Sequence, residues 1–266
     1  MNRLGKAFED HKALITFVTA GDPDLDVTRA ICPVLEESGA DVIELGIPFS
    51  DPQADGPSIQ AAGQRALKAG TTPASVLELA ESLKKTVTVP LVLMGYFNPI
   101  LQYGEESFAR DAARAGVAGV IVPDLPYDEG ENFYAALERE GVEGILMVAP
   151  NSPESRLKEA GRRARGFAYC VSLLGTTGTF DDLYADLESY LRRVRGYFSI
   201  PVALGFGIDG PQRAARAAAH ADGVVVGSAL VRLIEKYGRD EKRLTAEVRQ
   251  FVGGLKEAIR AQSPQG

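Results

Sequence analysis

The chain has 266 residues, 45% of them hydrophobic and 24% charged, and carries a net charge of −7. This size suits one large domain or two small ones, with enough apolar material for a sizeable core. The acidic balance argues against nucleic acid or an anionic membrane as the main partner, because both attract basic surfaces. It remains compatible with a phosphorylated substrate held at one local site.

The N-terminal stretch MNRLGKAFEDHKALITFVTAGD is charged, and its apolar run from Ala13 to Val18 is too short for a signal peptide or a membrane span. The two cysteines, Cys32 and Cys170, lie far apart with no CxxC or histidine cluster, so neither a disulfide framework nor a zinc site is expected. A reducing cytoplasm is the expected location.

In chain order, short β-rich segments alternate with stretches of helical period. The strands are expected at Leu14 to Ala20, Asp41 to Ile47, Pro90 to Tyr96 and Val117 to Asp124, then at Gly144 to Pro150, Phe167 to Leu173, Pro201 to Gly207 and Asp222 to Ser228. Between the first two runs DVTRAICPVLEESGA, where Ile31, Val34 and Leu35 form an apolar stripe before Gly39; PASVLELAESLKK and ENFYAALEREG read the same way. Strands alternating with helices imply parallel pairing through right-handed crossovers. The expected fold is an eight-stranded parallel (β/α) TIM barrel with additional short helices, a single domain over 1–266 with a disordered tail at about 262–266. A doubly wound open sheet is the rival, but the turn after the first strand reads TAGDPD, without a GxGxxG fingerprint.

In DVIELGI, Ile43, Leu45 and Ile47 form one apolar set for the helix-facing side, which turns Val42, Glu44 and Gly46 inward. A buried carboxyl must be paired, protonated or functional, so Glu44 reads equally as a satisfied structural acid or as a general acid–base group. The following loop, PFSDPQADGPSIQ, carries Asp51 and Asp55 at the strand end where barrel enzymes place their active sites. Both are also ordinary turn or cap residues, and composition alone does not choose. Asn98 to Ile100 (NPI) reads as a loop of defined turn geometry. The glycines of Gly205-Phe206-Gly207 and Gly227-Ser228-Ala229, after the seventh and eighth strands, allow backbone N–H groups and a helix N-terminus to hold a phosphate, with the Ser228 hydroxyl as a further donor. No lysine or arginine stands in these loops, so backbone donors and a helix dipole are expected to carry the recognition. Only two histidines exist, His11 on an expected N-terminal helix and His220 at a helix end, so no metal site is expected.

The string ELGIPFSDPQADGPSIQ, Glu44 to Gln60, resembles the signature of the tryptophan synthase α subunit family. The likeness extends over nearly the whole chain through FVTAGDP, MGYFNPI, VPDLP, GTTG, GFGI and VGSALV. It implies retro-aldol cleavage of indole-3-glycerol phosphate to indole and D-glyceraldehyde 3-phosphate, with Glu44 and Asp55 catalytic. It also implies substrate contacts from Phe17, Tyr96, Tyr169, Phe206, Gly207, Gly227 and Ser228, with Met94 and Leu125 nearby and Gly178 as a third phosphate contributor. The segment Leu174 to Tyr184 is expected to be a lid, over which the resemblance makes Thr177 a hydrogen-bond partner of Asp55. Thr176 and Leu173 depart from residues common in the family, valine and arginine, and bear on lid behaviour or coupling to a partner.

The resemblance further implies a β subunit that condenses indole with serine using pyridoxal phosphate, in an α2β2 assembly, and no cofactor in this chain. The alternatives are another phosphate-binding barrel enzyme, such as a phosphosugar isomerase or an indoleglycerol phosphate synthase, and a non-catalytic regulatory barrel subunit. The synthase relies on a catalytic lysine, and no expected strand contains one. A metal-dependent aldolase would need ligands that the two histidines do not supply.

Overall fold

The computed structural model describes residues 3–171, 180–205 and 207–262, without the side chains of residues 3 and 180–186. Among them, parallel strands β1 (Ala13–Thr19), β2 (Val42–Gly46), β3 (Leu91–Met94), β4 (Gly119–Ile121), β5 (Glu143–Ile145), β6 (Met147–Val148), β7 (Ala168–Val171), β8 (Val202–Gly205) and β9 (Gly223–Val226) form one sheet. Their order is β5-β4-β3-β2-β1-β9-β8-β7-β6. This is the parallel β/α barrel expected, nearly closed, with one correction. The fifth strand is split: β5 pairs with β4, β6 pairs with β7, and the Tyr169 N–H donates to the Leu146 carbonyl at 3.1 Å between them. Pairing therefore passes from one neighbour to the other at Leu146, where the two ends of the sheet meet.

Alternation along the strands separates two apolar layers. Inside lie Ile15, Val42, Val92, Ile121, Ile145, Tyr169, Ala203 and Val225. Outside, Leu14, Val18, Ile43, Leu45, Leu93 and Leu204 pack beneath the helices. The helices are α1 (Arg3–Lys6), α2 (Leu25–Glu37), α3 (Pro57–Lys68), α4 (Pro73–Leu83), α5 (Phe97–Tyr103), α6 (Glu105–Arg114), α7 (Glu131–Arg139), α8 (Glu154–Arg163), α9 (Phe180–Arg195), α10 (Pro211–His220), α11 (Ser228–Tyr237) and α12 (Glu241–Arg260). The stripe read in α2 is buried through Ile31, Val34 and Leu35, and the Asp24 side chain caps the helix by accepting from the Val27 N–H.

Two other expectations change. His11 lies beyond α1, in the bend before β1, where Nε2 meets Asp41 at 3.0 Å. The short α1 instead plugs the lower end of the barrel: Leu4 joins the interior layer, and just beyond the helix the Phe8 ring packs, tilted, 5.4 Å from Phe167. The segment NPI is helical, inside α5. Pro99 is tolerated because it falls in the first turn, where N–H groups have no intrahelical acceptor; the Phe97 N–H is instead taken by Asp124 at 2.9 Å. Of the expected lid, residues 180–184 open α9, while Leu173 and residues 174–179 lie outside the described residues, as do 263–266 of the tail.

Candidate active site

The inward set of β2 ends in a carboxyl and then a glycine. Glu44 is 0% exposed, in register between Phe17 of β1 and Val92 of β3. Neither of its carboxyl oxygens has a hydrogen-bond partner among the described residues. A structural glutamate is ordinarily satisfied by neighbouring hydroxyls or backbone, and the described residues offer the Glu44 oxygens neither. Burial, and secondarily the nearby Asp55 charge, raises its pKa from 4.5 to about 8. It is therefore a neutral acid at pH 7, able to give up a proton.

Asp55 stands in the loop between β2 and α3. It caps no helix: the N-cap of α3 is Gly56, with no side-chain cap bond. Its carboxylate bonds the Tyr96 hydroxyl, whose oxygen accepts from the Ala54 N–H at 2.9 Å. Burial raises the Asp55 pKa to about 6 while the tyrosine bond pulls it down. Asp51 is exposed and bonds Ser50, as a turn residue would. The two acids, similar in sequence context, thus divide into one that faces the site and one that faces solvent.

Phe17, Met94, Tyr96 and Asp55 line a crevice above β1–β3. Phe17 packs with Ile59 and Ala62 of α3 and Val231 of α11, which fixes its ring at the mouth. Gly46 leaves room for it: a Cβ there would stand 2.6 Å from Phe17 Cζ. Tyr169 enters from β7, and its ring lies where a Cβ on Gly205 would come within 2.7 Å. Burial, followed by the charges of Glu44 and Asp55, raises its hydroxyl pKa well above 10, so it stays a neutral donor. Leu125 lines a wider part of the mouth together with Asp55, Gly205 and Gly207.

At the opposite end, Gly227 precedes α11 without a side-chain cap, and Ser228 is the first residue of that helix. The first N–H groups of α11 are thus left for another acceptor. Gly207 has φ +41°, a conformation open to glycine. Thr176, Thr177, Gly178 and Phe206 lie outside the described residues. The sequence reading placed no cation here, yet Arg213 of α10 reaches back and donates to the Gly207 carbonyl at 3.0 Å. Its position three residues into a helix hid it from a reading of the loops alone. Among the described residues no cluster of three or more His, Cys, Asp or Glu side chains could hold a metal ion, and no helix is long and apolar enough to cross a membrane.

Fold and site together define a β/α-barrel enzyme with a buried acid at its strand ends and a second acid on the adjoining loop. The family model described as tryptophan synthase alpha chain matches residues 5–260. The tryptophan synthase alpha chain of Petrotoga mobilis is 49% identical over 256 residues, covering 96% of this chain and 99% of the relative. That of Geobacter sulfurreducens is 48% identical over 264 residues, covering 97% and 99%. The crystal structure of tryptophan synthase subunit alpha from Legionella pneumophila superposes with a TM-score of 0.90 at 36% identity, covering 97% of this chain and 98% of that one. The chain belongs to the tryptophan synthase alpha chain family.

Proposed function

We propose that this chain is a carbon–carbon lyase that cleaves indole-3-glycerol phosphate to indole and D-glyceraldehyde 3-phosphate. The observation that carries the reading is Glu44, a buried carboxyl without a hydrogen-bond partner among the described residues and neutral at pH 7. Glu44 protonates the ring carbon that bears the glycerol chain, and the ring double-bond electrons form the new C–H bond. Positive charge then develops on the ring N–H, which the Asp55 carboxylate holds and stabilises. The Glu44 carboxylate next takes the proton of the side-chain hydroxyl. The C–C bond breaks as the aldehyde carbonyl forms, its electrons restore the ring double bond, and Glu44 is again protonated. Proton transfer by a positioned carboxyl contributes about 10²–10⁴-fold in rate.

Phe17, Tyr96, Tyr169 and Phe206 wall the flat ring, and Gly178, Gly207, Gly227 and Ser228 hold the phosphate through backbone N–H groups and the α11 dipole. Thr177 bonds Asp55 when the segment after β7 closes. A β subunit carrying pyridoxal phosphate takes up the indole in an α2β2 assembly in the cytoplasm; this chain uses no cofactor of its own. No described strand carries a lysine, which favours cleavage over a ring-closing synthase. The test is incubation of the purified protein with indole-3-glycerol phosphate, with and without a β subunit, and free indole as readout. Indole release that the β subunit accelerates is expected. No release under either condition would rule the reading out.

A further inference from the structure

Arg213 joins three observations at the rim of the mouth. It stands in the first turn of α10, and Nη1 turns back to donate to the Gly207 carbonyl at 3.0 Å. The same nitrogen pairs with Asp209 Oδ2 at 2.9 Å. Its side chain lines the crevice that also contains Asp55, Gly205 and Gly207. A peptide is planar, with its carbonyl and the following N–H pointing to opposite sides. A donor fixed on the Gly207 carbonyl therefore sets the direction of the Ile208 N–H and steadies a loop whose φ of +41° gives it no help from ordinary backbone preference.

We propose that Arg213 is a positioning residue for the phosphate end of the substrate: it orients the Gly207 peptide and supplies a cation beside it, while Asp209 competes for the guanidinium. This inference rests on reading the site as one for a phosphate monoester. A dianion attracts a guanidinium more strongly than a single carboxylate does, and the planar fork suits two phosphate oxygens. The arginine thus shares itself between the loop carbonyl and Asp209 when the site is empty; when it is filled, the guanidinium keeps the carbonyl and exchanges Asp209 for a phosphate oxygen.

Titration calorimetry of glycerol 3-phosphate into the intact protein, at low and high salt, tests this. Arg213→Met is expected to weaken binding about tenfold at low salt, the scale of a charge-assisted hydrogen bond. Asp209→Asn is expected to tighten binding about two- to fivefold, as loss of a competing exposed ion pair allows. High salt should shrink both effects. In cleavage assays Arg213→Met should raise KM and leave kcat near that of the unaltered protein. A residue that only props up the loop would weaken binding in both variants, and that outcome, or an unchanged Kd for Arg213→Met, overturns the proposal. If the unaltered protein neither binds the ester nor releases indole, the lyase reading fails and takes this inference with it. If it does both and Arg213→Met binds equally well, only this inference fails.

Discussion

The Tyr96 hydroxyl bonds the Asp55 carboxylate, and this bond works against the burial that raises the acid's pKa to about 6. The same oxygen accepts the Ala54 N–H at 2.9 Å, so β3 and the loop that carries Asp55 are joined at one atom. Tyr96→Phe removes the opposing contribution and is expected to move the Asp55 titration to higher pH, carrying the acidic limb of the cleavage profile with it. The rate near neutral pH should fall several-fold because the loop also loses its anchor. A pH–rate series on the variant checks this; an acidic limb that stays in place contradicts it.

The two acids together set a working window. Asp55 is ionised above about 6 and Glu44 is protonated below about 8. The combination the chemistry needs, a neutral Glu44 and a charged Asp55, is therefore populated mainly between those values, and kcat/KM should trace a bell with limbs near them. As the two acids interact, the limbs belong to the pair. A rate that keeps climbing beyond pH 9 would contradict the assignment of Glu44 as the proton donor.

Glu44→Gln should lower the cleavage rate by about 10²–10⁴-fold while keeping the side-chain shape. It should also alter stability in a defined direction. The folded-state pKa of Glu44 lies above its ordinary 4.5, so the folded protein binds the extra proton between 4.5 and about 8. Stability is then highest on the acid side of this window and declines as pH rises through it, by up to ~5 kcal/mol. The glutamine variant has no such proton, so urea unfolding should show it gaining on the parent protein from pH 6 to pH 9. Parallel stability curves would be inconsistent with a carboxyl whose pKa burial raises.

Gly205→Ala places a methyl 2.7 Å from Tyr169 Cε1 and 2.8 Å from its hydroxyl. The ring has little room to yield, because it is buried in the interior layer beside Phe167 and Ala203. A stability loss of about 1–3 kcal/mol is expected from overpacking, together with slower cleavage as the ring shifts near Glu44. Melting curves and indole release both report on it. A variant matching the parent in both would show that the ring can move freely.

Asp22, 1% exposed, accepts from Arg65 Nε at 2.7 Å and from Arg65 Nη2 at 2.9 Å, and the same guanidinium reaches Glu235 at 2.9 Å. This arginine ties the loop after β1 to α3, which follows Asp55, and to α11, which begins at Ser228. Arg65→Met leaves the Asp22 carboxylate buried without its partner, at about 3 kcal/mol in stability. Arg65→Lys should recover only part of this, since lysine lacks the fork that meets both oxygens. Urea midpoints measure both, and an unchanged midpoint for the methionine variant would contradict the pairing's role.

What the sequence by itself determined was what depends on near neighbours along the chain. The two-residue period of Asp41 to Ile47 turned Glu44 inward, the apolar stripe of α2 marked its buried face, and the long string from Glu44 to Gln60 carried the family resemblance. Tertiary structure alone decided what depends on atoms from distant segments meeting within a few ångströms. It left the Glu44 oxygens without a partner among the described residues, gave Asp55 to Tyr96 and Asp51 to solvent, split the fifth strand at Leu146, and brought Arg213 back onto Gly207. Periodicity states which face a side chain takes; it carries no record of which groups from other strands and helices share that face. Those partners fix the charge and reach of each acid.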